Sequence, residues 1–119
     1  MPDFINYYTY DLLIITNPIY STSVYFDKQS LKIIDNFIHK GIFIISDESL
    51  CLPEKSFDNI WSNYKNLICI KSPHKLIGMN SIKFSCISFD ASYITFFDQW
   101  NDIFTGSLDY SCKQAISHF

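Results

Sequence analysis

LICIKSPHKLIGMNSIKFS, Leu67 to Ser85, is the stretch around which the chain is organised. Ile68, Cys69 and Ile70 are apolar in succession, the pattern of a strand covered on both faces. Ser72 and Pro73 stop that strand, and Lys75 follows where a βα-type turn at a sheet end would place it. Gly78 loosens the backbone, and Ser81 to Ser88 predicts a second strand, with Ile82, Phe84, Cys86 and Ser88 in alternation. A lysine in apolar surroundings has its ammonium form disfavoured, which frees the amine to act as a nucleophile or imine partner. A lysine that snorkels from a loop to solvent is the alternative reading.

Upstream, Asp11 to Thr16 (DLLIIT) is an apolar run the length of a buried strand, ended by Asn17-Pro18. Asp27 predicts an N-cap for a helix from Lys28 to about Lys40, with Leu31, Ile34, Phe37 and Ile38 on its apolar stripe. Gly41 stops it, and Ile42 to Ser46 is the next buried strand. Strand, helix and strand with short joins make a βαβ unit, so the two strands should be parallel with a right-handed crossover. Leu50 to Phe57, broken by Pro53, reads as loop, and Phe57 to Asn66 holds one short helix with Ile60, Trp61 and Tyr64. Asp90 predicts the cap of a helix carrying Ile94, Phe96, Phe97 and Trp100. After Thr105-Gly106, a last helix is predicted over Ser107 to Phe119, with Leu108, Cys112 and Ala115 at helical spacing. The fold class is α/β, a mostly parallel sheet of about four strands flanked by helices, in a single segment over residues 1–119.

Composition narrows the function. The chain has 119 residues, enough for one core, and 48% hydrophobic with 18% aromatic residues argues against disorder. The net charge is −3 and the nine positive residues are scattered lysines, so nucleic acid is not the expected partner. Without arginine, no side chain can form a bidentate fork to a carboxylate or phosphate. Cys51, Cys69, Cys86 and Cys112 are far apart, with no histidine at ligand spacing; Cys69 and Cys86 read as small core residues of a reducing compartment, and no metal is expected. No apolar run approaches the ~20 residues of a membrane span, so a cytoplasmic protein is expected.

Three partial motifs lie in order along the chain. Ser72-Pro-His74-Lys75, then Gly78, then Lys83 eight residues after Lys75, resembles the S-x-[ST]-K…G…R signature of fold-type I pyridoxal-phosphate enzymes. Asn17-Pro18-Ile19-Tyr20-Ser21-Thr22-Ser23 resembles the NPxNPTG loop of the class I/II aminotransferases. Ile42-Phe-Ile-Ile-Ser-Asp47-Glu48 is similar to that family's apolar strand ending in Asp-Glu. The resemblance covers nearly the whole chain and implies the central part of the family's large domain. It implies three parallel strands with the last antiparallel, and lies nearest the histidinol-phosphate aminotransferase and threonine-phosphate decarboxylase group.

The resemblance also implies roles. Lys75 would carry pyridoxal 5′-phosphate as a Schiff base and move a proton as general base and acid. Asp47 would pair with the pyridinium nitrogen, where an anion keeps the ring protonated. Ser72 and His74 would contact the phosphate, a protonated His74 donating to it; an exposed loop histidine is the alternative. Lys83 stands where the family has a phosphate-binding arginine, and keeps the charge without the planar fork. Tyr20 occupies the place of an asparagine that meets the cofactor's ring oxygen; it either substitutes a hydroxyl or packs as a loop aromatic. Leu50 stands where many members have a tyrosine, and cannot donate a hydrogen bond. Glu48 should point away from Asp47 and receives no role. An amino-acid substrate, a 2-oxo acid and a homodimer are implied as partners, with transamination or decarboxylation as the reaction.

Two rivals stand beside this reading. A catalytically inactive, degenerate or truncated relative acting as a binding or interaction protein would account for Tyr20, Leu50 and Lys83. It would also account for the family's glycine-containing phosphate loop and carboxylate-binding arginine lying outside the matched segment. A receiver-like regulatory domain fails because the first strand ends in Thr16-Asn17-Pro18 and offers no acidic pair for Mg²⁺.

Overall fold

Local signals set the first βαβ unit. The computed structural model describes residues 11–78, 81 and 83–104, and of the helix over 94–104 the side chains only to residue 99. Strand β1 (Leu12–Thr16) leads through a loop to helix α1 (Lys28–His39), where the Asp27 carboxylate accepts from the Ser30 N–H at 2.7 Å. The helix ends in a Schellman turn: the Gly41 N–H donates to the Ile38 carbonyl at 3.0 Å and the Ile42 N–H to that of Phe37 at 3.1 Å. Gly41 takes φ +80°, which a side chain would resist. Because the turn consumes the Ile42 N–H, strand β2 begins one residue later than the sequence pattern suggests, and runs Phe43–Asp47.

Strands β1, β2 and β3 (Leu67–Lys71) are parallel, and β4 (Cys86–Ser88) closes the sheet antiparallel to β3, in the order β1-β2-β3-β4. This is the mixed sheet that the resemblance implies. Between β2 and β3 the chain makes one 3₁₀ turn at Pro53–Lys55 and the one-turn helix α2 (Phe57–Ile60). That helix is shorter than the Phe57 to Asn66 pattern. Asn66 instead spends its amide on the Ile38 and Ile42 carbonyls, at 2.9 and 2.7 Å, tying the end of α1 to the start of β3.

The core lies on one face of the sheet. Ile44, Leu67 and Cys69 meet Ile34 and Ile38 of α1, Phe57 of α2 and Trp61 just past its end, with Phe57 and Trp61 edge to face at 4.9 Å. Alternation puts Leu12, Ile14, Phe43, Ile45, Ile68, Ile70 and Ile87 on the other face. Among the described residues the cover there is slight. Tyr93 packs on Phe43 at 5.7 Å, while Ile14 is 67% exposed and Ile87 40%. The pattern Ile68-Cys69-Ile70 suggests cover on both sides; Cys69 is fully buried, its neighbours only partly.

After β3, Lys75 falls in the one-turn helix α3 (Pro73–Leu76) and not in an open turn. The strand predicted over Ser81 to Ser88 is confined to Cys86–Ser88, and Ile82 lies outside the described residues. The cause is local. The antiparallel register would set Phe84 opposite Pro73, which lies in α3 and has no N–H, and the Phe84 carbonyl instead lies 2.6 Å from His74 Nδ1. Asp90 caps a 3₁₀ turn (Ala91–Tyr93) that runs into helix α4 (Ile94–Phe104). The helix predicted from Ser107 lies outside the described residues. Among those described, no helix is long and apolar enough to cross a membrane.

Candidate functional site

The C-terminal rim of a parallel sheet is where α/β folds gather their ligands, because loops diverge there. Here the loops after β1 and β2 and the helix after β3 enclose an open cleft of about 330 Å³. Thr16 and Asp47, register partners at the ends of β1 and β2, form its floor. Pro18 to Ser21 make one wall, Ser49 and Leu50 another, and Lys75 closes the third side. The size falls in the range of small-molecule sites, roughly 300–1,000 Å³.

Short bonds shape the first wall. The Asn17 N–H donates to the Asp47 carbonyl at 2.9 Å, continuing the ladder one step past the strand. The peptide from Asn17 to Pro18 is cis, and the Tyr20 N–H donates to Thr16 Oγ1 at 2.9 Å. Ile19 then bridges to Val24, closing a loop in which Ser21 and Ser23 take φ of 63° and 56°. Tyr20 stands largely exposed on that wall. Asp47 is exposed, and its Oδ1 accepts the Ser49 N–H at 2.9 Å.

Of the residues singled out from sequence, Tyr20, Asp47 and Lys75 are brought together at this cleft. Ser72 and His74 do not line it. Ser72 is 4% exposed, and its hydroxyl lies 3.1 Å from that of Ser49 and 2.9 Å from that of Ser85. His74 is 6% exposed; its Nδ1 lies 2.6 Å from the Phe84 carbonyl, and the ring tilts against that of Phe84. Lys83 is exposed and is not a lining residue. Leu50 presents an apolar side chain to the cleft.

A buried polar cluster behind the cleft escaped the sequence reading. Glu48 is 1% exposed and faces away from Asp47, into the protein. Its Oε1 accepts from the Phe57 N–H at 2.8 Å, and its Oε2 from Ser56 Oγ at 2.5 Å. Asn17, also buried, donates its amide to Glu48 Oε1 at 3.4 Å, Cys51 Sγ at 3.4 Å and the Lys55 carbonyl at 3.0 Å. Burial first, then the Glu48 charge, pushes the Cys51 thiol up to about 11. The available signal was parity: a residue following an exposed strand-end carboxylate must turn inward, and a buried carboxylate demands donors.

No protein-family model matches the chain, and no curated protein matches it by sequence. Solved structures do match. A decarboxylase from Sulfurospirillum multivorans superposes with a TM-score of 0.66 at 18% identity, over 88% of this chain and 31% of that one. A pyridoxal-phosphate-bound C-S lyase from Staphylococcus hominis gives 0.64 at 20% identity, over 84% and 27%. The histidinol-phosphate aminotransferase from Clostridium acetobutylicum gives 0.64 at 22% identity, over 86% and 31%. This chain thus spans less than a third of the length of each. At such identities the likeness is one of fold, and it agrees with the strand order and the mixed sheet. The chain has the fold of a stretch of the large domain seen in these pyridoxal-phosphate-dependent enzymes.

Proposed function

We propose that this chain is the central, cofactor-binding part of an aminotransferase-like enzyme that takes pyridoxal 5′-phosphate at the cleft between Asp47 and Lys75. The observation that carries this reading is the meeting of a carboxylate and a primary amine at one sheet-end cleft, from separate elements. The donor set fits the ring of the cofactor: Asp47 offers an anion to hold a proton on the pyridinium nitrogen, and Lys75 offers the amine that bonds the aldehyde carbon. When bound, the cofactor supplies an electron sink for breaking a bond at the α-carbon of an amino acid. With the cofactor bound, the Lys75 amine would take and return the proton at that carbon as base and acid. Tyr20 is the hydroxyl nearest in kind to the family's ring-oxygen donor.

The phosphate end is less complete. Ser72, His74 and Lys83 are the proposed contacts, yet Ser72 and His74 are bonded to Ser49, Ser85 and Phe84. Their use for a phosphate requires those bonds to be exchanged. An amino acid and a 2-oxo acid are the proposed substrates in transamination, with decarboxylation as the variant reaction, in a cytoplasmic homodimer.

Leu50 at the cleft and the occupied Ser72 and His74 favour a second reading, an inactive relative that keeps the fold and binds a partner. Incubation with limiting pyridoxal phosphate, borohydride reduction and peptide mapping separates the two. Strong preference for Lys75 over the other eight lysines supports the first reading. Scattered or absent label on folded protein leaves the second.

A further inference from the structure

Glu48 is a buried carboxylate, 1% exposed, held by donors from several parts of the chain. Four groups donate to it: the Phe57 N–H at 2.8 Å, Ser56 Oγ at 2.5 Å, Asn17 Nδ2 at 3.4 Å and Ser46 Oγ at 3.4 Å. None of the four is a cation. A buried charge so held is expensive to move, because swinging it out forfeits every donor and leaves the Phe57 N–H unsatisfied. Its main chain is equally committed: the Glu48 N–H donates to the Ile70 carbonyl at 2.7 Å, and the Glu48 carbonyl accepts from Cys51 at 3.0 Å.

The neighbours of this anchor are the walls of the cleft. Asp47 precedes it directly, and successive residues at a strand end face opposite ways. With Glu48 locked inward, Asp47 is locked outward over the cleft. Asn17 is gripped twice, its backbone N–H by the Asp47 carbonyl at 2.9 Å and its side chain by Glu48, and it begins the wall that carries Tyr20.

We infer that Glu48 is a positioning residue: its buried carboxylate fixes the direction of Asp47 and the seat of the Asn17–Tyr20 wall without touching the cleft's ligand. The part of this that concerns cofactor affinity rests on the proposed cofactor reading. Glutamine can replace most of the anchor. Its oxygen can accept from Phe57 and Asn17, while the Ser56 hydroxyl turns round to accept from its NH₂. Alanine replaces none of it.

The test compares Glu48→Ala with Glu48→Gln, reading amide hydrogen exchange by NMR and pyridoxal phosphate binding by absorbance titration. In Glu48→Ala, the Asn17 and Ser49 amides, bonded to the Asp47 carbonyl and carboxylate, should exchange at least about tenfold faster relative to the amides of α1. Cofactor affinity should fall by about tenfold, and Glu48→Gln should restore both to within about threefold of the parent. Uniform acceleration that includes α1, or cleft amides unchanged in a folded Glu48→Ala protein, overturns the inference. Where Glu48→Ala does not fold, Asn17→Ala decides. It cuts the link to Glu48 together with those to Cys51 and Lys55 but leaves the carboxylate in place, and must free the Tyr20 amide while sparing Phe57. Failure of the parent protein to bind pyridoxal phosphate sinks the cofactor reading, while the exchange data still judge the anchor.

Discussion

The backbone N–H of Ser49 donates to Oδ1 of Asp47 across 2.9 Å, so the carboxylate facing the cleft is steadied by the chain that leaves its own strand. An amide oxygen can accept the same bond, more weakly because the charge is gone. Asp47→Asn should therefore keep the fold and its far-UV dichroism, while removing the negative charge from the cleft. Affinity for pyridoxal phosphate, followed by absorbance, should fall by about tenfold or more. Unchanged affinity in a folded Asp47→Asn protein would remove Asp47 from the site.

Asp58 at α2 and Lys71 at the end of β3 form an ion pair with both side chains mostly covered. Burial would raise the Asp58 carboxyl, but hydrogen bonds from Cys69 and Lys71 and the Lys71 charge outweigh it, holding the group below its ordinary 3.8. Burial opposes the charge on Lys71, and the bond and charge of Asp58 lift it above 10.5 regardless. A depressed carboxyl stabilises the fold above its unfolded value and loses that effect as pH falls through the folded one. The raised lysine stabilises below 10.5 and fades as pH rises beyond it. Asp58→Asn should cost about 1–2 kcal/mol at pH 7, allowing for partial exposure. As pH falls below 3.8 and through the lowered folded value, the difference from the parent should close, and urea titrations across pH would show whether it does.

The three described cysteines are free and should separate by reactivity. Burial and the Glu48 charge push Cys51 up to about 11, and burial with the Asp58 bond pushes Cys69 further still, whereas Cys86 is exposed. Iodoacetamide at pH 8 should modify Cys86 at least about tenfold faster than Cys51 or Cys69 in folded protein. In denaturant the three rates should converge. Mass mapping with time would read this directly, and early labelling of Cys69 would contradict its burial.

Gly41 closes α1 with φ +80°, and a Cβ built there meets nothing within 4 Å. The cost of Gly41→Ala is then backbone strain alone, about 1 kcal/mol by chemical denaturation. Gly41→Asn should cost less, since asparagine tolerates the left-handed region. A neutral Gly41→Ala would mean that the turn relaxes to another closure.

What could be read from sequence was local. Asp27, the apolar stripe from Leu31 to Ile38, and Gly41 announce the helix and its ends, and the apolar runs on either side announce parallel strands. Asp47 ends β2 and Lys75 lies just after β3, so each could be placed near a sheet end; their pairing as cofactor residues is what the family resemblance implies. The rest depended on distant partners. The shortened β4 follows from Pro73 of α3 falling opposite Phe84, which alternation in Ser81 to Ser88 cannot register. The resemblance implies a phosphate contact at Ser72, and sequence alone cannot show that its hydroxyl lies beside those of Ser49 and Ser85. Glu48 looked idle because its donors, Asn17 and Ser56, lie in other loops.

The aliphatic surface around Ile14 and Ile87 also governs how the molecule meets its solvent. Water on that area gains free energy by leaving it, and the gain grows in sulfate and shrinks on cooling. The protein should therefore salt out at lower ammonium sulfate than a chain of like size with both sheet faces sheathed. It should keep best cold, dilute and in low salt.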